Sequence, residues 1–598
     1  MRTTRGCGRR LLPTVFVALG LAIGDPLVPG AAQRQAPGVG SSAGGDWPLH
    51  NLDLHNSRFS ALDQISTSNA GTLVTRWAAD LPKGTSVGSA TPVVLDGVMY
   101  LNAGSKLFAL DAATGKQRWA RDLEPASPQG GRGPAYGDGT LYVTSVALIY
   151  AVDVHSHAPV ASFGRNGVVN VAKAALEFKD PGRYAADFDP ASIGYMISSA
   201  PTYANGMLFI GLAQADSLIP GGLVVALDGR SGRITWVFRA IPQAATDDGW
   251  DIAKDTWRGG DRLGGGLWTQ PAVDPDLGIV YVNVSNPSPN FDGSSRKGAN
   301  LFTNSIVALN LVTGKLLWHF QTLHHDIWDW DLVTGPTLFD VPVNGKRVKA
   351  LASLAKTCYV FAVDRESGRP MFAVVETPVP MKTDVPGEEV WPTQPIPYTA
   401  RDVPQMPFCA TYPPHVSDPE LAARRRPIFH PFQVNEFLIV APGVRGGPNR
   451  GSSSFSPRTG LLYVTGMNDA NSVKVKPVGG SLKPGPGSPG QYGTIAEQGK
   501  SGVTQSQNVA AFNPATGDLA WVTELPGITH GGNLVTAGEV VFQAIGREFY
   551  ALDAKSGARL THVSLGAAMT SSPLTYVAGG RQYVALASGS TVVAVGLP

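Results

Sequence analysis

The octapeptide His324-His325-Asp326-Ile327-Trp328-Asp329-Trp330-Asp331 is unusually dense in ionisable and aromatic residues. If it is extended, its period of two places Asp329 and Asp331 on the same face, where both carboxylates could bind one cation. Paired carboxylates also suit a general base beside a metal ion that keeps its partner ionised. Two turn aspartates beside a surface pair of histidines would give the same pattern, so the octapeptide alone is only suggestive.

A repeated phrase indicates which elements position these residues. It reads Ala-apolar-Asp/Asn-x-x-Thr/Ser-Gly, in most copies with a Trp four residues after the Gly, and begins at Ala109, Ala226, Ala308, Ala362, Ala511 and Ala551, with a degraded copy at Ala151. In each copy the apolar pair ends a strand, the Asp or Asn caps a turn, and the Gly takes a positive φ before the next strand. Each phrase therefore predicts a β-hairpin.

A second strand-turn-strand phrase precedes most copies, for example at residues 92–100, 203–209 and 459–463. Each unit therefore holds at least two hairpins and forms a four-stranded antiparallel sheet. Repeated small sheets are typical of a propeller or a β-solenoid, and the unequal spacing favours a propeller, in which insertions leave the ring intact. We expect residues 376–445 and 470–505, rich in Pro and Gly, to be such insertions, as surface loops.

Composition agrees with an all-β chain and excludes some partners. Only 16% of the 598 residues are charged, and 70 Gly and 47 Pro disfavour long helices. Residues 1–32 carry four Arg before an apolar run at 11–24 and small residues at 30–32, which predicts a signal peptide cleaved before Gln33 and a periplasmic or secreted protein. Its removal changes the net charge from +2 to −1. Without a basic stripe, nucleic-acid binding is not expected, and the apolar run is short for a transmembrane helix.

Residues 33–598, taken as one domain, resemble the PQQ-dependent (pyrroloquinoline quinone) dehydrogenases, eight-bladed β-propellers that include the methanol, alcohol and membrane glucose enzymes. Residues 56–65, followed by Trp77, look like the N-terminal signature of that family. The octapeptide and the phrase at residues 376–380 look most like its glucose and quinate dehydrogenase branch. The resemblance implies an all-β fold of eight four-stranded antiparallel blades that binds PQQ and a metal ion.

Several residues match the cofactor positions of that family. Asp329 falls on the catalytic aspartate, and Lys356, 27 positions later, matches the basic residue that contacts the quinone oxygens. Trp268 matches the tryptophan on which the cofactor stacks, although a core tryptophan is the alternative. Arg132 matches the arginine that pairs with cofactor carboxylates. Ser198 or Ser199 matches a hydroxyl contact, and Asn449 is a further possible contact.

For the metal, Asn286 resembles the asparagine ligand of the family, and Asp216 lies near its usual glutamate ligand. With Asp329 and Asp331 these oxygen ligands imply a hard cation such as Ca²⁺. Asp331 stands where lanthanide-dependent members carry an extra aspartate. Glucose dehydrogenases look alike at this position and use divalent ions, so Mg²⁺ and a lanthanide also remain open.

The chain departs from the family in four respects. Gln129, Gly130 and Gly131 stand where the methanol and alcohol enzymes have adjacent cysteines, Ser89 replaces an acidic residue, and Gly137 replaces a histidine of the glucose branch. The sequence shows no counterpart of the membrane domain of the glucose enzyme. Cys358 and Cys409 could form a disulfide or remain buried thiols.

The resemblance implies an enzyme that oxidises an alcohol, polyol or sugar hydroxyl by hydride transfer to PQQ. Without a Cys-x-x-Cys-His haem motif, electrons would pass to an external cytochrome c or quinone. The alternative is a non-catalytic propeller scaffold of the outer-membrane assembly type, because fold does not imply function. A scaffold needs the Trp and Gly repeats but not the combination of Asp329, Lys356, Arg132 and Trp268. A dead enzyme with an empty pocket is a third possibility.

Overall fold

The structure, a computed structural model, describes residues 45–598 except 88–89, 104–105, 125–131, 214–216, 261, 344, 415, 477–493 and 500. The predicted signal peptide lies outside these residues. The described chain forms an eight-bladed β-propeller of small antiparallel sheets, as predicted. Among the described helices, none has both the length and the apolar character needed to cross a bilayer.

The first four blades follow one another along the chain with four strands each. Their bounds are, for blade 1, Val93–Leu95, Val98–Ala103, Lys106–Asp111 and Gln117–Asp122; for blade 2, Ala135–Gly137, Thr140–Ser145, Leu148–Asp153 and Val168–Asn170; for blade 3, Thr202–Ala204, Met207–Leu212, Leu223–Asp228 and Ile234–Arg239; and for blade 4, Ala272–Asp274, Ile279–Val284, Ser305–Asn310 and Leu316–Gln321.

The remaining blades include the residues that close the ring. Blade 5 has Thr337–Val343, Lys346–Leu354 and Val360–Asp364; blade 6 has Ser454–Ser456, Leu461–Asn468, Ser506–Asn513 and Asp518–Pro526; blade 7 has Asn533–Thr536, Val540–Ile545, Glu548–Asp553 and Arg559–Ser564; and blade 8 has Leu574–Ala578, Arg581–Ser588 and Thr591–Gly596. The N-terminal strand Val74–Asp80 completes blade 8, and Phe59–Ser60 pairs in parallel with blade 7.

The repeated phrase forms the predicted hairpins and also locks neighbouring blades together. The Asp111 carboxylate accepts hydrogen bonds from the backbone N–H groups of Ala113 and Thr114. In four of the six clear copies the Gly, at positive φ, packs under a Trp of the preceding blade, in the pairs Trp77 with Gly115, Trp236 with Gly314, Trp318 with Gly368 and Trp521 with Gly557. A Cβ at any of these glycines would lie 2.5 Å from the indole, so the small residue is required by its neighbour.

The segments between blades supply the rest of the secondary structure. The helices are Val171–Lys179, Trp250–Ala253 and Pro419–Ala423, with 3-10 turns at Ala70–Thr72, Pro190–Ile193 and Lys254–Thr256. Leu263–Gly264 pairs with Pro287–Ser288, and Val374–Pro378 pairs with Thr393–Pro397. These elements lie outside the blade sheets, and the first strands of several neighbouring blades contact one another.

The two predicted insertions are not only surface loops. Leu438–Val440, from the first, pairs with Asn471–Lys476 from the second, which pairs in turn with Thr494–Gly499. Leu438, Val440, Val473 and Val475 are buried and belong to the same hydrophobic cluster as Trp328 and Trp330. The two segments form a common sheet because each carries alternating apolar residues that need a partner to leave water.

Candidate active site

The acidic octapeptide after blade 4 forms a tight turn and is not the extended segment that was one of its two interpretations. The Asp326 carboxylate accepts hydrogen bonds from the backbone N–H groups of Trp328 and Trp330, at 2.8 and 2.9 Å, and from the Asn304 amide. Asp329 takes a φ of 64° inside this turn, a conformation that Asp tolerates better than most residues. Burial raises the pKa of Asp326. The turn nevertheless brings the carboxylates of Asp329 and Asp331 to one cation.

The positively charged group that Asp329 and Asp331 share is the side-chain ammonium of Lys356. Its Nζ lies 3.0 Å from Asp329 Oδ2 and 3.0 Å from Asp331 Oδ1. All three side chains are largely buried, with Asp331 fully inaccessible and Lys356 6% exposed. The backbone N–H of Lys356 also donates to the Asp331 carbonyl at 3.0 Å. Lys356 is therefore not an ordinary surface lysine, because a charge that is buried in this way is retained only when it is paired.

Trp268 joins this group from the segment between blades 3 and 4. Its indole Nε1 donates to Asp331 Oδ2 at 2.9 Å, and the guanidinium carbon of Arg132 lies 5.4 Å from its ring centroid. The indole is 6% exposed. The structure thus brings together Trp268, Arg132, Asp331, Lys356 and Asp329, which the sequence separates by more than 200 positions.

Arginines that the sequence reasoning missed surround Arg132 and Lys356. Burial, and then the positive charge of Arg450, lowers the pKa of Arg132 to about 9. Burial, and then the charges of Arg450, Arg445 and Lys356, lowers the pKa of His530 to about 4. Within the described residues, Arg132, Arg445 and Arg450 form no ion pair with a carboxylate. This excess of positive charge fits a ligand that carries several carboxylates.

The other predicted cofactor contacts differ in what they already bind. Ser198 Oγ donates to the Ala213 carbonyl at 2.7 Å. Ser199 Oγ accepts the Gly211 N–H at 3.0 Å, which leaves its own hydroxyl hydrogen for a ligand. Asn449 Nδ2 donates to the Arg445 carbonyl at 2.8 Å, so it shapes the loop that carries the two arginines. The family resemblance pointed to this loop through Asn449, but Arg445 and Arg450 lie outside the matched motif.

The predicted metal ligands are partly described. Asp216 lies outside the described residues. Asn286 is fully buried, and its Oδ1 has no hydrogen-bond partner among the described residues. The backbone carbonyl of Asn286 accepts from Gly265 N–H at 2.9 Å, three residues before Trp268. In the part of the chain that the structure describes, no group of three His, Cys, Asp or Glu side chains has the arrangement of a metal site. A buried amide oxygen and two carboxylates are suitable ligands for a hard cation.

The insertion at residues 376–445 contacts the acidic turn through His324 and His325. The His325 ring lies 2.7 Å from Glu388 Oε1 and 2.9 Å from the Gly298 carbonyl, and the interaction with His325 lowers the pKa of Glu388 against the effect of burial. His324 contacts Gln321 and, at 3.0 Å, Glu376. The rings of Trp328 and Trp330 stack with their centroids 5.5 Å apart. Neither histidine therefore faces Lys356.

The structure also answers two questions about the departures from the family pattern. Cys358 and Cys409 form a disulfide, so they are not free thiols. Gly137 lies against the ring of Tyr203, which a Cβ at residue 137 would overlap. Ser89 and residues 129–131 lie outside the described part of the chain.

A cavity unrelated to this group lies beside the helix Val171–Lys179. It has a volume of about 840 Å³ and is lined by Val169, Leu176, Tyr184 and Phe188 among others. None of the residues discussed above lines it. The cavity is therefore separate from the candidate site around Lys356 and Trp268.

An eight-bladed propeller with a buried Lys–Asp–Asp group, an adjacent tryptophan and nearby arginines is typical of a quinone-cofactor dehydrogenase. Residues 47–486 and 523–584 match the model of the family described as "PQQ: Glucose/ethanol/alcohol dehydrogenase, beta-propeller domain". The chain belongs to this PQQ-dependent dehydrogenase family, a family of oxidoreductases that act on CH–OH groups.

Individual relatives agree with the family match. The chain is 30% identical over 585 residues to the dehydrogenase subunit of alcohol dehydrogenase (quinone) from Gluconacetobacter polyoxogenes, covering 91% of this chain and 71% of that protein. It is 28% identical to quinohemoprotein alcohol dehydrogenase ADH IIB from Pseudomonas putida, covering 92% and 74%. The solved structure of quinohemoprotein alcohol dehydrogenase ADHIIG from Pseudomonas putida is similar at a TM-score of 0.70 and 25% identity, covering 92% and 80%.

Proposed function

We propose that this protein is a periplasmic PQQ- and metal-dependent dehydrogenase that oxidises an alcohol, polyol or sugar hydroxyl. The observation that carries the proposal is Lys356 Nζ at 3.0 Å from both Asp329 and Asp331, beside Trp268. Buried ion triads also occur elsewhere in the fold, but a scaffold does not need one that stands beside Trp268 and Arg132. The alcohol and glycerol dehydrogenases among the relatives support an alcohol-type substrate.

The residues present fit the cofactor and the cation. Trp268 offers an indole face for a planar ring, and Arg132 with Arg450 offers guanidinium groups for its carboxylates. Asn286 Oδ1 and the carboxylates of Asp329 and Asp331 would hold Ca²⁺, Mg²⁺ or a lanthanide ion. When bound, PQQ supplies the acceptor for the hydride of the substrate C–H bond.

The residues of the chain itself would perform the proton chemistry. Asp329 accepts the proton of the substrate hydroxyl, while the carbon that bears this hydroxyl loses a hydride. The alcohol thereby becomes a carbonyl compound. Lys356 holds Asp329 in place and supplies positive charge where negative charge develops. Asp331 fixes both Lys356 and the Trp268 indole. The electrons then leave to an external cytochrome c or quinone.

The first test is a titration of the purified protein with PQQ, in the presence of Ca²⁺ and, in parallel, of a lanthanide. We expect saturable changes in cofactor absorbance that require the cation, and dye reduction with at least one alcohol, polyol or aldose. Asp329→Asn should keep PQQ binding while turnover falls by about a hundredfold or more, because the general base is lost. Asp276→Asn, at an exposed aspartate, is the matched control. Absence of PQQ binding with either ion would refute the enzymatic proposal and leave a non-catalytic propeller.

Export is a separate part of the proposal. It is supported by the basic and apolar pattern of residues 1–32. N-terminal sequencing of the protein from a periplasmic extract should begin at Gln33. A chain that keeps Met1 and stays in the cytoplasm would refute this part and leave the enzymatic proposal standing.

A further inference from the structure

The Cys358–Cys409 disulfide lies two residues from Lys356. Cys358 occupies the turn between the strands Lys346–Leu354 and Val360–Asp364 of blade 5, whereas Cys409 lies in the insertion after that blade. Both cysteines are buried, with exposures of 0% and 5%. Beside the covalent bond, the Phe408 N–H donates to the Cys358 carbonyl at 3.1 Å. The insertion is therefore attached to the chain at the point where Lys356 enters the site.

Two glycines connect the disulfide to the lysine side chain. Gly447 packs so closely on the bridge that a Cβ there would overlap the sulfur atoms of both cysteines. Gly446 packs in the same way on the Cβ and Cγ atoms of Lys356. The Gly447 N–H donates to the Lys356 carbonyl at 2.8 Å. The backbone of residues 446 and 447 thus lies against the disulfide on one side and against the stem of Lys356 on the other.

The stem of Lys356 needs such confinement for a physical reason. A lysine side chain loses much rotamer freedom when its ammonium is fixed, and here Nζ must stay 3.0 Å from two carboxylates at once. The ion pairs hold only the end of the side chain. Packing of Gly446 on Cβ and Cγ restricts its first rotatable bonds, and the disulfide packs on the adjacent Gly447.

We propose that the Cys358–Cys409 disulfide is a positioning element for Lys356, acting through Gly446 and Gly447. This inference rests on the proposed function, because Lys356 is positioned for PQQ and substrate. The disulfide touches neither of the two carboxylates. It keeps the backbone of residues 446 and 447 against the lysine, so that the ammonium remains between Asp329 and Asp331 when the cofactor enters.

The first test removes the bridge in the Cys358→Ala/Cys409→Ala variant, with circular dichroism and thermal unfolding to establish that it folds. We expect the Kd for PQQ, measured by quenching of protein fluorescence in Ca²⁺, to rise about tenfold. We expect kcat to fall about tenfold and KM for the alcohol to stay within about twofold, because a displaced positioning group affects the reacting geometry. A variant that only melts at a lower temperature, with Kd and kcat within about twofold of wild type, would refute the proposal.

A double-mutant cycle separates positioning of Lys356 from a general effect. If the bridge acts through the lysine, its removal in a Lys356→Met background should change the Kd for PQQ by less than about twofold. Full additivity of the two changes would show that the bridge acts elsewhere and would overturn the inference.

Gly447→Ala disturbs the contact between residue 447 and the disulfide while the disulfide itself stays intact. This variant tests the proposal even if the cysteine variant does not fold. Its Cβ would push residues 446 and 447 away from the bridge, so kcat and the Kd for PQQ should change as in the cysteine variant. Gly71→Ala, where a Cβ meets no atom closer than 4.0 Å, is the control and should match wild type. A wild-type protein that binds no PQQ refutes the proposed function and this inference together, whereas wild-type binding with an unchanged Gly447→Ala refutes the inference alone.

Discussion

At the scale of single residues, the site is an arrangement of buried charges that hold one another. Lys356 pairs with two carboxylates, and Asp331 also accepts the Trp268 indole N–H. Asp326 is buried beside them but serves the backbone of the turn. The three acids therefore differ in role, since Asp326 shapes the turn, Asp331 fixes its neighbours and Asp329 is the residue that we propose as the base. These roles differ because the three carboxylates have different hydrogen-bond and ion-pair partners.

Removal of Lys356 should therefore cost stability as well as activity. In Lys356→Met, Asp329 and Asp331 lose their common cation in a buried environment, and we expect the unfolding free energy of the PQQ-free protein to fall by about 3–5 kcal/mol. Urea denaturation measures this change. Lys106→Met removes the exposed ion pair with Asp122 and should cost less than about 1 kcal/mol. Equal losses in the two variants would show that Lys356 is not buried as the structure has it.

Gly137 explains at the residue level why the chain lacks the histidine of the glucose branch. Its Cα faces the ring of Tyr203, whose hydroxyl donates to Asp138 and whose ring stacks on Tyr142 with centroids 5.4 Å apart. Any side chain at residue 137 would have to displace this ring.

Gly137→His should therefore destabilise the fold without creating a sugar site. We expect a loss of about 1–3 kcal/mol in unfolding free energy from overpacking, measured by urea denaturation, and no gain in glucose oxidation by dye reduction. Tyr203→Ala would open the space, so in that background the same substitution should cost less. A Gly137→His variant as stable as wild type would contradict the packing.

At the scale of elements, the propeller is held by contacts between consecutive blades. Trp236 of blade 3 packs on Gly314 of blade 4, and its Nε1 donates to the Leu311 carbonyl at 3.0 Å. In the degraded copy of the repeat, His157 stands in the place of the glycine at a φ of 60°, and Trp119 lies 4.4 Å from its ring. The repeat thus encodes the interface between blades together with the hairpin.

Truncation of one of these tryptophans should destabilise the fold as much as a core substitution does, although the tryptophan packs beside a surface turn. We expect Trp236→Ala to lower the unfolding free energy by about 3–5 kcal/mol, since a buried indole and its hydrogen bond are both lost. Trp250→Ala, at the short and half-buried helix Trp250–Ala253, should cost less than half as much. Thermal and urea unfolding of the two variants test the difference.

What could be predicted from the sequence also depends on the structural element concerned. The repeats signalled the blades, because turn chemistry and strand periodicity are local. The cofactor and metal positions that the structure describes lie in matched phrases. For the octapeptide the sequence left a turn and an extended segment open, because side chain to backbone hydrogen bonds such as those of Asp326 can override the period of a strand. Arg445 and Arg450 escaped prediction, since only the folded loop brings them beside Arg132 and His530.

At the scale of the whole molecule, residues 47–80 tie together the blades where the ring closes. Trp47 exchanges backbone hydrogen bonds with Val94 of blade 1, at 2.8 and 2.9 Å. The buried Arg58 donates to the His50 carbonyl, to Asn51 Oδ1, to the Asn533 carbonyl of blade 7 and to the Pro573 carbonyl beside blade 8. His50 Nδ1 lies 3.1 Å from the Arg132 carbonyl, so the closure segment also supports the arginine that we propose as a cofactor contact.

This closure should make the protein sensitive to acid through His50. Burial, and then the positive charges of Arg58 and Arg132, lowers the pKa of His50 from 6.5 to about 3. The unfolded chain therefore binds the proton more readily than the folded one, and the stability that neutral His50 contributes is complete above pH 6.5 and is lost as the pH falls toward 3. Over this window the loss approaches about 1.4 kcal/mol per pH unit. Urea denaturation at pH 7, 5.5 and 4.5 should show a shallower decline for His50→Gln, which keeps a donor for the Arg132 carbonyl but cannot be protonated. Parallel declines in the two proteins would assign the acid sensitivity to other groups and remove His50 from the closure.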